Sequence, residues 1–249
     1  MEMRSKRISF LDKSESGYRC MESNIKTKNE GSMAESVKKG LEELRLLAID
    51  LGASDAVVIP ASAVIVDPRA RLKCMIPKCY MSGDCYHCPP HGYTIQEVRD
   101  IISGYEWAVF FRVLGKSSIF AAESITHSIS SGVLDPKGKV FNLGGHYILT
   151  ATITKLLQKR AKSMGYTPTY GFAAGNCRDP FCLLQPTCQN LMSPKGCRNP
   201  EFSCYSMESC GMDAFTMAAR AGWDVYPIGG TCEPDSVPHG TLMGLVLVT

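Results

Sequence analysis

Cys74-Met-Ile-Pro-Lys-Cys79-Tyr-Met-Ser-Gly-Asp-Cys85-Tyr-His-Cys88, followed at once by Pro89 and Pro90, sets four thiols in one short loop. The spacing is C-x4-C-x5-C-x2-C, and its opening returns 103 residues later as Cys177, Cys182 and Cys188, completed by Cys197 after a longer gap. Four thiols are the full ligand set of a tetrahedral zinc or of an iron–sulfur cluster. Cys74, Cys79, Cys85 and Cys88 are therefore the expected ligands of one metal centre, and Cys177, Cys182, Cys188 and Cys197 those of a second. Pro77, Gly83, Pro89, Pro180, Pro186 and Gly196 supply the turns such loops need. Arg71, Lys73 and Lys78 in the first loop, and Arg178, Lys195 and Arg198 in the second, either offset thiolate charge or simply face solvent.

Spacing also bears on which metal is held. A zinc ribbon brings two C-x2-C knuckles together; here only Cys85 and Cys88 form one. Iron–sulfur loops tolerate irregular spacing, and Cys88-Pro89 is like the Cys-Pro that ends a ferredoxin ligand run. The comparison favours an iron–sulfur cluster of the 4Fe-4S type, with zinc as the alternative. His87 and His91 flank the first group as minor ligand candidates, their usual role beside a metal loop being to support a ligand. Cys204 and Cys210 read as buried thiols. Cys232 and His239 are a nucleophile and base in type only, since nothing in the sequence brings them together.

Around the loops, hydrophobic periodicity alternates between helix and strand. Ser32 and Glu35 have capping-box spacing ahead of Val37, Leu41, Leu44, Ala48 and Leu51, and Gly52 ends that helix. Ala56–Ile59 and Ala63–Val66 read as a bent strand or hairpin, and Asp67-Pro68-Arg69 turns the chain into the first loop. Thr94 and Glu97 open a second helix with Ile95, Val98, Ile101 and Ile102 inward, and Trp107–Leu114 is a buried strand. Residues 115–142 give no firm element. A long helix from Leu143 to Met164 carries Ile148, Ile153, Leu156 and Leu157. A strand from Tyr166 to Ala174 then leads into the second loop. Met212–Ala221 is helical, and Trp223–Ile228 and Leu242–Val248 are strands.

The predicted fold is thus α/β (α+β): two similar helix–strand–Cys-loop–helix–strand halves, about 32–114 and 143–249, sharing one mixed sheet. The shared cysteine spacing argues for an internal duplication. Residues 1–31 read as a disordered leader that includes Cys20, and 32–249 as the cysteine-rich metal-binding domain.

The chain has 249 residues, 12 of them cysteine, and a formal net charge of +3. So small a charge gives no ground for nucleic acid or an anionic membrane surface as partner. No apolar run has membrane-span length, and Met1–Lys13 lacks the apolar core of a secretory signal. The expectation is a cytoplasmic protein, where clustered cysteines mean metal or redox work more than disulfides. Gly144-Gly145 is too short for a phosphate loop, and no dinucleotide fingerprint is present.

Three further motifs occur in order: Cys88-Pro89-Pro90, Cys197-Arg198-Asn199-Pro200, and Ser206-Met207-Glu208-Ser209-Cys210-Gly211-Met212-Asp213. From roughly Leu44 onward the chain resembles an uncharacterised cysteine-rich family of predicted metal-binding proteins, a domain of unknown function. The third motif is similar to that family's Ser-Met-Glu-Ala-x-Gly-Ile-Asp, with Ser209 in place of alanine, and the second cysteine group is more widely spaced than the family pattern. The resemblance implies metal binding and assigns no reaction. Glu208 is left without a role, and Asp213 reads as a helix N-cap. The functional expectation is one or two iron–sulfur clusters serving electron transfer or redox maturation of a partner protein. The alternatives are a zinc-stabilised interaction module without redox activity and a cluster-dependent reductase.

Overall fold

Helix α1, Glu35–Asp50, buries Leu41, Leu44 and Ala48 along one face, and Gly52 ends it with φ +109°, a conformation glycine adopts without strain. The computed structural model describes residues 35–121, 139–182, 184–228, 232–233 and 235–249, the side chains of 139–143 excepted. The leader 1–31, Cys20 and the Ser32 end of the first capping box lie outside the described residues.

Strand β1 (Asp55–Pro60) runs from the α1 turn into a single 3-10 turn at Ala61–Ala63. The second strand expected at 63–66 is therefore absent. β1 reaches its last partner at Pro60↔Trp107, where the chain leaves the sheet. Only Val66 is bridged, to Met212, flanked by Asp67 N–H donating to Gly211 O at 2.8 Å and Asp213 N–H donating to Ile65 O at 2.9 Å. This short clasp ties the entrance of the first cysteine loop to the 206–213 motif.

Helix α2 (Ile95–Ser103) has the expected capping box: the Glu97 amide donates to Thr94 Oγ1 at 3.2 Å, and the Thr94 amide to Glu97 Oε2 at 2.7 Å. Val98 and Ile102 face the core. We expect Thr94→Ala to cost about 1 kcal/mol, read as a fall in Tm of roughly 2–4 °C with no change in metal content. A drop beyond about 10 °C would show that Thr94 does more than cap.

Strand β2 (Trp107–Gly115) lies between β1 and β5 (Gly240–Val248), antiparallel to both, and β3 (Thr169–Ala173) flanks β5 on its other side, also antiparallel. A two-residue β4 (Tyr205–Ser206) adds in parallel to β3, making a five-stranded mixed sheet in the order β1-β2-β5-β3-β4. The fold is α+β. One turn of helix, α3 (Ser117–Phe120), falls within the stretch that gave no firm element.

Helix α4 runs from Lys139 to Ser163, starting four residues before the predicted Leu143, and Gly165 follows it with φ +93°. Its buried stripe is Thr150, Ile153, Thr154, Leu157 and Ala161, whereas Ile148 and Leu156 stay exposed at 41% and 38%. Two threonines can sit in the core because each hydroxyl donates to the carbonyl one turn back, Thr150 to His146 O at 2.8 Å and Thr154 to Thr150 O at 2.9 Å. The helix packs on β3 and β5 and touches α1. Gly171 permits the approach, since a Cβ there would meet Thr154 Cγ2 at 2.5 Å.

The opposite face of the sheet is covered by α2, by α7 (Ala214–Arg220) and by Trp223. The chain at 223–228 forms no strand, contrary to expectation. Trp223 is instead spent on the core: its ring stacks on Phe110 at 4.9 Å, with the Arg112 guanidinium 5.0 Å from the ring. Pro227 withholds a ladder donor besides. After the second cysteine loop and α7, the next strand of the chain is β5, so β2 and β5 stand side by side at the centre, with β1 outside one and β3 outside the other. The second loop itself holds two short helices, α5 (Arg178–Cys182) and α6 (Gln189–Met192).

Candidate metal centre

The two cysteine groups meet. Cys85 Sγ lies 3.8 Å from Cys177 Sγ, and Cys177 Sγ lies 3.4 Å from His87 Nδ1. Cys85 is 0% and Cys88 8% exposed, and Cys74, Cys79 and Cys177 are partly buried. The ionisation of these thiols is tied together. Hydrogen bonds from Cys177 and Cys88 pull the Cys85 thiol strongly down from its ordinary range. Those same two thiols are pushed up, first by sharing their protons with Cys85 and then by burial. The charges of Cys74 and Cys79 add to the upward push on Cys88, and that of Cys197 to the push on Cys177. Burial, followed by the charges of Glu208 and Cys79, raises Cys74 to about 11.

Cys85, Cys88 and Cys177 thus share their protons, with Cys74, Cys79 and Cys197 near enough for their charges to act on them, and negative charge on all of these thiols at once is costly. A bound cation resolves that conflict, since metal binding takes each thiol as thiolate and releases its proton. The donor set fits a thiophilic metal centre. The pairing departs from the sequence reading in one respect: Cys177, the first cysteine of the second group, stands against Cys85 of the first.

Two cysteines of the second group, Cys182 and Cys197, meet at Asn199. Its amide donates to Cys197 Sγ at 3.4 Å, its side-chain Nδ2 donates to Cys182 Sγ at 3.3 Å, and the same nitrogen also reaches Phe181 O at 3.0 Å. Cys188 leads into α6, and its carbonyl accepts from Leu191 N–H. Among the described residues, no three Cys, His, Asp or Glu side chains converge closely enough to hold a single ion. Cys204 and Cys210 are buried thiols as expected, raised by burial to about 11 and about 12. His91 Nε2 faces Gly83 O at 3.1 Å and so braces the loop. His239 Nδ1 meets Thr241 Oγ1 at 3.3 Å.

The loops are pinned by their basic and polar residues. Arg71 donates to Tyr93 O at 2.5 Å, Arg178 to Pro186 O at 2.7 Å and Arg198 to Thr187 O at 2.8 Å, so the three arginines brace loop carbonyls. Arg71 and Lys73 also offset part of the rise at Cys74. Asn176 holds the turn that presents Cys177: its Oδ1 accepts from the Asp179 amide at 2.9 Å, and its Nδ2 donates to Asp179 Oδ2 at 2.8 Å. Tyr80 of the first loop donates its phenol proton to that same Asp179 carboxylate, latching one loop to the other. Sequence reasoning missed the latch, because Tyr80 and Asp179 stand 99 positions apart and neither belongs to a recognisable motif.

The model of the family described as "Predicted metal-binding protein (DUF2284)" matches residues 57–248, a span that contains both cysteine groups. The chain belongs to that family. It is accordingly a member of a cysteine-rich, predicted metal-binding family, and its sheet and loops are the fold that carries the cysteines. No curated protein and no solved structure matches the chain. None of the helices among the described residues is long and apolar enough to cross a membrane.

Proposed function

We propose that this protein carries iron–sulfur clusters on its two cysteine groups and passes electrons to or from a partner protein in the cytoplasm, either as a carrier or in the partner's redox maturation. The contact between the two cysteine groups at Cys85 and Cys177 carries the reading, because it sets two four-cysteine sets side by side, as two neighbouring clusters would need. A thiolate-held cluster supplies a one-electron couple whose potential follows burial and hydrogen bonding to sulfur. This chain provides both: Cys85 and Cys88 are buried, and Asn199 directs N–H groups at Cys182 and Cys197. The contact between groups would put two centres close enough to exchange electrons. Around the loops Ile76, Tyr80, Leu184 and Met192 are exposed at 50–90%. That apolar rim is where a partner protein would dock.

One observation favours the zinc module instead. The 3.8 Å between Cys85 and Cys177 is the edge expected of a tetrahedron with bonds of about 2.3 Å. Preparation without oxygen separates the two readings. The cluster reading expects brown protein with iron and sulfide in equal amounts, and spin coupling between centres in the electron paramagnetic resonance spectrum after reduction. A protein that stays colourless and silent after reconstitution with iron and sulfide, yet holds zinc at both groups, would leave only the module.

A further inference from the structure

A cavity of about 660 Å³ opens beside the first cysteine loop, walled by Arg69, Lys73, Glu208, Asp213, Phe215 and Thr241. Its size falls within the range of small-molecule sites. The clasp between residues 65–67 and 211–213 builds it, by setting the 206–213 motif against the entrance of the cysteine loop. Beyond its charge acting on Cys74, the Glu208 side chain in that motif has no part in the metal reading or the fold.

Most of the charges on the wall are already paired. Arg69 forks onto Asp67, with Nη2 2.5 Å and Nε 2.9 Å from Oδ2. Asp213 is occupied as the N-cap of α7, accepting from Thr216 N–H at 3.0 Å and Thr216 Oγ1 at 2.6 Å. Two groups remain. Lys73 holds its ammonium 4.3 Å from the Phe215 ring centroid, and no carboxylate pairs with it among the described residues. Glu208 is partly buried, and its Oε2 is sealed from solvent without a hydrogen-bond partner. Leaving a carboxylate oxygen buried and unbonded is costly. A cation and an anion without an ion-pair partner among the described residues, Lys73 over the Phe215 ring and Glu208, thus share the wall of one cavity with apolar surface from Met212 and Met243.

We propose that this cavity binds a small zwitterion of the α-amino acid class, its carboxylate on Lys73 and its ammonium on Glu208. The apolar wall would take the side chain. The site adjoins the metal centre, since Lys73 directly precedes Cys74. Such a ligand would make the protein an enzyme or a ligand-gated redox protein rather than a carrier alone, but the binding itself stands whichever metal the cysteines hold.

The test uses the full-length, metal-loaded protein and thermal unfolding. The probes, each at 10 mM, are the free α-amino acids taken singly, the amines that lack their carboxylate and the carboxylic acids that lack their amine. At least one amino acid should raise Tm by roughly 5–10 °C once it exceeds its Kd a hundredfold. The matching amine and acid should each give less than half that shift. Lys73→Met and Glu208→Gln should each abolish it. So should Thr241→Leu, which fills the cavity from β5, away from the cysteines. Iron and zinc are measured on every variant, so that loss of binding with metal retained is read apart from loss of the centre. If Lys73→Met sheds metal, Thr241→Leu decides. No shift with any amino acid, an equal shift with the carboxylic acid alone, or a shift that survives Thr241→Leu would each overturn the proposal.

Discussion

Cys177→Ser should strip the metal held by the first cysteine group as completely as Cys85→Ser does. By spacing alone Cys177 opens the second group, and a serine there would be expected to spare the first. Space says otherwise: Cys177 Sγ is 3.8 Å from Cys85 Sγ and takes part in the same shared protonation as Cys85 and Cys88. On the proposed metal reading, removing it takes away a donor beside the buried Cys85 thiol. A serine hydroxyl is a poor replacement for thiolate with soft metals. The expected loss is about one centre's worth of metal per chain, measured as iron, zinc and sulfide against protein concentration. Cys188→Ser is the control, because its thiol touches none of the first group among the described residues; it should leave that group's metal in place. Equal losses from Cys177→Ser and Cys188→Ser, with the first centre intact in both, would restore the division by spacing.

Some of this was readable from residues alone. Thr94 with Glu97 names a helix start because the two side chains can satisfy each other's backbone donors at that spacing and no other. Gly52 names a helix end because it takes a positive φ, +109°, that side chains resist, and Gly165 and Gly222 follow their helices in the same way at +93° and +76°. The strands expected at Trp107–Leu114 and Leu242–Val248, observed at Trp107–Gly115 and Gly240–Val248, were legible from largely apolar runs, which suit strands buried on both faces. The failures share another cause. Residues 63–66 and 223–228 are branched or aromatic enough for strands, but a strand also needs a free edge beside it. β5 takes the place next to β2, and Trp223 is more stable stacked against Phe110 than exposed at an edge. For the site, spacing identified the thiols and could not say which would be neighbours. That depends on the order β2-β5-β3 in the sheet, set by long-range pairings such as Trp107 with Val248 and Thr169 with Val248. The cavity was illegible for the same reason: its wall comes from residues 67–73, 208–215, 227 and 241–243, brought together only by the fold.

The failed strand at 223–228 leads to the largest stability effect to be expected. Phe110 is fully buried at the middle of β2, and its ring stacks on Trp223 with centroids 4.9 Å apart and planes 26° apart. Phe172, Met207, Met217 and Leu245 belong to the same core cluster, so the space left by truncation is hemmed in by β3, β5 and α7 and has little freedom to collapse. Phe110→Ala should cost about 3–5 kcal/mol, a fall in Tm of roughly 6–20 °C for a chain of this size. Trp223→Ala should cost a comparable amount by uncovering the same face. Because the two rings touch, the double variant should lose less than the sum by about 0.5–1.5 kcal/mol, the part that belongs to the pair. Urea unfolding of the metal-loaded protein gives all three numbers, with metal content checked to exclude loss through the cysteines. Strict additivity would mean that Trp223 packs elsewhere in solution, and that residues 223–228 are free to take the strand their sequence suggests.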